Sequence, residues 1–104
     1  MTENKDERLR AALGFAMKAG RAASGRLAAE KALRSGRAMA AVLDSAASEQ
    51  SKKHWRSICE NAGVPLVFAE DVGRAVGREA HTIVCITDSG FARMIMSCRN
   101  ENEQ

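Results

Sequence analysis

A three-layer α/β/α sandwich around a small mixed sheet is the fold class predicted by three observations. Stretches with helical apolar spacing alternate with apolar runs of four to six residues. No hairpin turn joins neighbouring runs, so strands are connected through helices. The composition, 45% apolar and 28% charged with one proline in 104 residues, is that of an ordinary globular chain. That length predicts one domain over residues 1–104, burying roughly two-thirds of its unfolded surface, with frayed ends at 1–5 and 99–104.

Each element follows in order. Leu9, Ala12, Leu13, Ala16 and Met17 predict a first helix over 6–19, stopped by Gly20. A short extended piece over 21–24 leads to a second helix that Ser24 or Gly25 begins and Gly36 ends. AMAAVL, residues 38–43, reads as a buried strand. Beyond the loop DSAAS, Trp55, Ile58, Cys59 and Ala62 form the stripe of a third helix, which Gly63 and Pro65 terminate. VPLVF is the next strand, EDVGRAVG a helix of one or two turns, GREAH a loop and TIVCIT a strand. Asp88 or Ser89 caps a last helix whose stripe is Phe91, Met94, Ile95 and Cys98.

Charge is unevenly distributed. Between residues 17 and 37 lie Lys18, Arg21, Arg26, Lys31, Arg34 and Arg37 against Glu30 alone. That local balance of +5 leaves −2 for the rest of a chain whose net charge is +3. Such segregation is expected of a polyanion binder, with cations converging on one edge of the fold; solvated helix faces are the plainer explanation. On a wheel of about 100° per residue the second helix places Arg26, Lys31 and Arg34 on one arc and Ala28, Ala29, Ala32 and Leu33 on the other. Leu27 falls inside the basic arc. Either it packs against the preceding segment, or it lies against an unstacked base or sugar while Arg26, Lys31 and Arg34 hold phosphates. Gly25 at the helix start permits close approach of a backbone to exposed amides that attract phosphate.

Enzyme signatures fail. GxGxxG, GxSxG and HExxH are absent, and neither Gly73 nor Gly77 is followed by the Lys-Ser/Thr of a phosphate loop. His81 and Cys85 lie four apart on one strand face, but no third group orients them as a dyad, so Cys85 is expected in the core and His81 at the strand mouth. Cys59, Cys85 and Cys98 form no CxxC pair and are read as reduced, buried thiols. No catalytic residue, metal site or cofactor is expected. The mixed-charge start MTENKDERLR and the lack of a long apolar run argue against a signal peptide or membrane span and for a cytoplasmic protein.

The strings LGFAMKAGRAASG, EKALRSGRA, AGVPLVF, VGRAVGRE and IVCITDSGFARMI resemble, in order and spacing, the bacterial YlxQ-like branch of the L-seven-Ae/L-thirty-e ribosomal protein family, whose members bind kink-turn RNA. The resemblance spans residues 9–96. It implies an α/β/α sandwich that meets RNA at the start of the second helix, here Gly25, Arg26, Leu27, Ala28 and Lys31. It further implies contacts from the loop around Ser45 to Ser48 and from the loop Gly77 to Thr82, where Arg78 and His81 suit a phosphate or base edge. Leu27 and Ala28 stand where typical family members carry an Asn-Glu pair that reads sheared G·A pairs, and Ala46 replaces a common aspartate.

The function expected is non-catalytic binding of structured RNA, ribosomal or non-coding and of kink-turn type, in association with the ribosome or translation factors. The expected contacts are Gly25, Arg26, Leu27, Ala28, Lys31, Arg34, Ser48, Arg78 and His81. A protein-interaction module is one alternative. Another is the substrate-recognition domain of an RNA-modifying enzyme, which predicts a reading frame extending before Met1 or past Gln104. No motif specifies an oligomer.

Overall fold

The computed structural model describes residues 5–98. Its elements are α1 (Lys5–Lys18), β1 (Ala22–Ser24), α2 (Arg26–Arg34), β2 (Ala40–Asp44), α3 (Glu49–Ala62), β3 (Leu66–Ala69), α4 (Val72–Ala75), β4 (Ile83–Ile86) and α5 (Ser89–Ser97). Of the ends expected to fray, Lys5 instead begins α1, and 1–4 and 99–104 lie outside the described residues.

The sheet is mixed, in the order β1-β4-β2-β3. β2 and β3 are parallel, with α3 as the crossover, while β4 runs antiparallel to both β1 and β2. Side-chain alternation sorts the core onto two faces. Ala40, Val42, Val84 and Ile86 pack with Leu9, Leu13, Val72 and Ile95 beneath α1, α4 and α5. Ala41, Leu43, Ile83 and Cys85 pack with Ala29, Leu33, Trp55 and Cys59 beneath α2 and α3. Three layers result, as the alternating pattern predicts.

Helix ends follow local chemistry. The Ser48 side chain accepts from Ser51 N at 3.1 Å to start α3, and Asp88 accepts from Phe91 N at 2.9 Å to start α5. Gly63 closes α3 with φ 70°, a left-handed value that glycine adopts without steric cost.

Some boundaries and faces differ from expectation. β2 begins two residues later than expected and extends to Asp44; Met39 is exposed, and Ala38 is buried but precedes the strand. In α5, Ala92 and Ile95 face the core while Met94 is 46% exposed. Ala62, in the last turn of α3, is exposed too. On an ideal wheel Met94 lies at the margin of the arc that Ala92 and Ile95 bury, and Ala62 is the last residue of its helix.

The thiols are buried as expected. Burial pushes Cys59 up to about 11 and Cys85 up to about 12, the second also through the neighbouring Cys59 thiol. A thiolate at Cys85 is thereby disfavoured, and its Sγ donates to the Ala29 carbonyl oxygen at 3.7 Å. Among the described residues no cluster of three or more His, Cys, Asp or Glu side chains could hold a metal ion, and no helix is long and apolar enough to cross a membrane.

Gly73 holds one loop in place. A Cβ there would sit 2.4 Å from the His81 carbonyl oxygen, 2.5 Å from that of Arg78 and 2.9 Å from that of Glu79. All three are backbone atoms, so the 78–81 loop would have to move as a unit. Gly73→Ala should cost about 1–3 kcal/mol, an overpacking penalty, lowering Tm while leaving the helix content of the circular dichroism spectrum intact. An unchanged Tm would show that the loop does not depend on this contact.

Candidate functional site

One end of the sheet collects the segments singled out by sequence. Ser24 pairs with Val84, Leu43 with Ile83 and Asp44 with Ala69, so the carboxyl ends of β1, β2 and β3 and the start of β4 lie together. Asp44 fastens this end. Its side-chain oxygens accept from Ala46 N at 2.9 Å and from Val72 N at 3.1 Å, tying the 45–48 loop and α4 to β2. Sequence reasoning treated Asp44 as loop; only the tertiary partner reveals its role.

A groove of about 850 Å³ opens there, between the start of α2, the first turns of α3 and the loop before β4. Gly25, Arg26, Leu27, Ala28, Ser48 and His81 line it, six of the nine residues expected from sequence. Thr82, the end of the implied Gly77 to Thr82 loop, lines it too, as do Gln50, Ser51, His54 and Trp55, which sequence reasoning missed. Trp55 was read only as part of the apolar stripe of a helix; the signal that α3 starts beside α2 is tertiary.

Lys31 and Arg34 stand outside the groove, in a neighbouring depression of about 480 Å³ that also includes Leu27, Glu30 and Ser35. Leu27 is therefore a ridge between two hollows. Its side chain is 83% exposed, which overturns the reading in which it packs against the preceding segment. Arg78 is exposed in the 77–81 loop and does not line the groove.

Gly25 joins the two walls. Its φ of 94° is open to few residues other than glycine, and a Cβ there would lie 2.8 Å from His81 Cε1 and 3.0 Å from Nε2. The imidazole thus rests against the backbone at the start of α2. Ser24 Oγ and His81 Nδ1 are hydrogen-bonded, which orients the ring, and Gly25 N donates to the Ile83 carbonyl at 2.8 Å. Among the described residues no side chain accepts from the first turn of α2, and the first internal bond there is Ala29 N to Gly25 O at 2.9 Å. The amides of Arg26, Leu27 and Ala28 consequently have no acceptor among the described residues, at the positive end of the helix dipole.

Electrostatics are mixed. Glu30 lies 3.9 Å from Arg34 Nη2 and 3.4 Å from His54 Nε2, which tempers the basic arc. Arg34 is largely exposed, so that pair contributes little and leaves it available to a stronger anion. Convergence of the 17–37 cations on one edge does not hold. α2 runs from one end of the sheet to the other, so Arg26 stands at the groove, Lys31 and Arg34 follow along the helix, and Lys18, Arg21 and Arg37 sit at the far end of the sheet.

Fold and groove together define a small sandwich-type binding domain whose open face is built from a helix start and two loops. The chain belongs to the family described as Ribosomal protein L7Ae/L30e/S12e/Gadd45 family, which matches residues 7–96. Within it the chain falls in the YlxQ-like branch: it is 34% identical over 88 residues to the RNA-binding protein YlxQ of Bacillus subtilis (strain 168), covering 82% of this chain and 88% of that one. Solved structures agree on the fold. A protein of unknown function from Bacillus halodurans C superposes with a TM-score of 0.80 at 24% identity, over 88% of this chain and 95% of that chain. The Giardia lamblia 15.5kD RNA binding protein gives 0.74 at 19% identity, over 94% and 87%.

Proposed function

We propose that this protein is a non-catalytic RNA-binding protein that recognises structured RNA through the groove at the start of α2, in the cytoplasm and in association with the translation machinery. One observation carries the reading: an apolar side chain, Leu27, stands 83% exposed among unpartnered amides and cations. Exposed large apolar groups beside phosphate-seeking donors suit an unstacked nucleotide, whose base or sugar needs an apolar surface and whose phosphate needs donors. The name of the Bacillus subtilis relative supports the same class.

In this reading Arg26 and the amides of residues 26–28 take a phosphate at the groove mouth, and Lys31 and Arg34 take phosphates further along α2. Leu27 and Ala28 pack on base or sugar. Ser48, His81, Thr82 and the newly found Gln50 and Ser51 offer hydrogen bonds around the rim. Arg78 adds charge from beside the groove. Because neither Leu27 nor Ala28 has a polar side chain, selectivity for a kink-turn rests on RNA shape and backbone contacts.

Affinity for a hairpin RNA with a kink-turn internal loop, measured against salt, tests this. Neutralising about four to six phosphates gives a logarithmic slope of roughly 0.7–0.9 per contact. Arg26→Ala, Lys31→Ala and Arg34→Ala should each flatten that slope by about one. A salt-insensitive affinity, or partner capture that persists after RNase and fails only on Leu27→Glu, overturns it in favour of a protein-interaction module.

A further inference from the structure

The end of the sheet opposite the groove carries charge that the proposed function leaves unused. Arg21 precedes β1, Thr87 follows β4 and Met39 precedes β2, and backbone bonds set them in one row: Thr87 N donates to the Arg21 carbonyl at 3.0 Å, and Met39 N to the Ile86 carbonyl at 2.7 Å. At the spacing of neighbouring strands, Arg21 and Met39 lie about 10 Å apart. Arg37 comes two residues before Met39, Lys18 is the last residue of α1 beside Arg21, and Arg93 stands one turn into α5.

All four cations are exposed, and among the described residues none is in an ion pair. Only Arg37 has a side-chain bond, Nε donating to Ser35 Oγ at 3.2 Å. The acids of this end are few. Asp88 is engaged at Phe91 N, and Glu60 lies one turn before the end of α3. The groove end is different: there Asp44, Glu49, Glu70, Asp71 and Glu79 intersperse with the cations. Among the described residues the far end therefore carries an excess of exposed positive charge.

From this asymmetry we infer that Lys18, Arg21 and Arg37 form a second polyanion-binding surface, whose ligand is the phosphate backbone of an RNA duplex. Long exposed cations on a net-positive surface reach phosphates rather than base edges, so its contacts are sequence-independent. Two such surfaces at opposite ends let one molecule hold a structured element in the groove and a plain helix at the other end. The inference of a second surface does not depend on the groove being an RNA site.

The test uses three labelled probes: a fully paired RNA duplex, the kink-turn hairpin and poly-glutamate. Arg21→Glu with Arg37→Glu should weaken duplex binding by roughly tenfold or more and flatten its salt slope by about two, leaving hairpin affinity within about twofold. Arg26→Glu should do the reverse. The Arg21→Lys, Arg37→Lys protein keeps the charges and should keep duplex binding, which separates electrostatics from folding damage. Duplex affinity unmoved by the double charge reversal overturns the proposal, as does poly-glutamate bound as tightly as duplex, which would mark an acidic-protein surface. If hairpin binding ignores Arg26→Glu while duplex binding follows Arg21 and Arg37, the groove reading fails and the second surface stands.

Discussion

Gly25→Val should abolish RNA binding at the groove and lower Tm by several degrees. Two independent costs meet at this residue. Its φ of 94° lies where a β-branched side chain is strained, at about 1–3 kcal/mol. Its position against the His81 ring leaves no room for a Cβ, which would come within 2.8 Å of Cε1. The ring must then leave its place beside Ser24, and the wall formed by the loop before β4 moves away from the start of α2. A small domain loses roughly 4–8 °C of Tm per kcal/mol, so the strain is visible in melting. The two costs separate in a double-mutant cycle. His81→Ala removes the steric conflict but not the backbone strain, so Gly25→Ala should be less harmful to Tm in the His81→Ala background than in the wild type. Strict additivity of the two substitutions would mean that the ring and the glycine do not press on each other.

The layers were legible because periodicity survives tertiary context. Leu9, Leu13 and Ala16 in α1, and Trp55 and Cys59 in α3, fall on buried faces as their spacing requires. Two helix ends were legible for the same reason, since Asp88 and Gly63 act on their own neighbours, whereas Ser48, read as loop, proves to cap α3. What was not legible depends on partners distant in sequence. Asp44 looks like any polar loop residue until Val72 N appears beside it, 28 positions on, and Gly73 looks like a weak helix residue until the 78–81 carbonyls are seen against it. His54, Gln50 and Ser51 carry no local mark of a site, yet the α3 layer sets them against the start of α2. Charge was misread in another way. A bias of +5 over residues 17–37 is a property of the chain, but α2 carries the chain from one end of the sheet to the other and divides those cations between two surfaces. Sequence proximity became spatial separation.

Trp55→Ala should be the most destabilising substitution, at about 3–5 kcal/mol, against a total stability of about 5–15 kcal/mol for a domain of this kind. Trp55 is 3% exposed and is the only aromatic among the buried residues of its cluster, which includes Ala29, Ala32, Ala38 and Ala41 beside Leu33, Leu43, Ile83 and two cysteines, with half-buried Phe68 packed against it. Alanines have no rotamers with which to fill the void, so the cavity persists and its cost stays near the upper end of that range. The same side chain lines the groove, with the His54 ring edge-on at 5.0 Å and 77°. Loss of the indole therefore weakens the wall that α3 presents to the site. Trp55→Phe keeps an aromatic of smaller volume and should retain the fold with a modest loss of Tm, which makes it the variant in which RNA affinity can be read apart from unfolding. Because Trp55 is the only tryptophan, its fluorescence in the wild type should change when RNA enters the groove and stay constant when a duplex binds at Arg21 and Arg37. A Trp55→Ala protein that melts within a degree or two of wild type would show that the α2–α3 layer is held by something other than this ring.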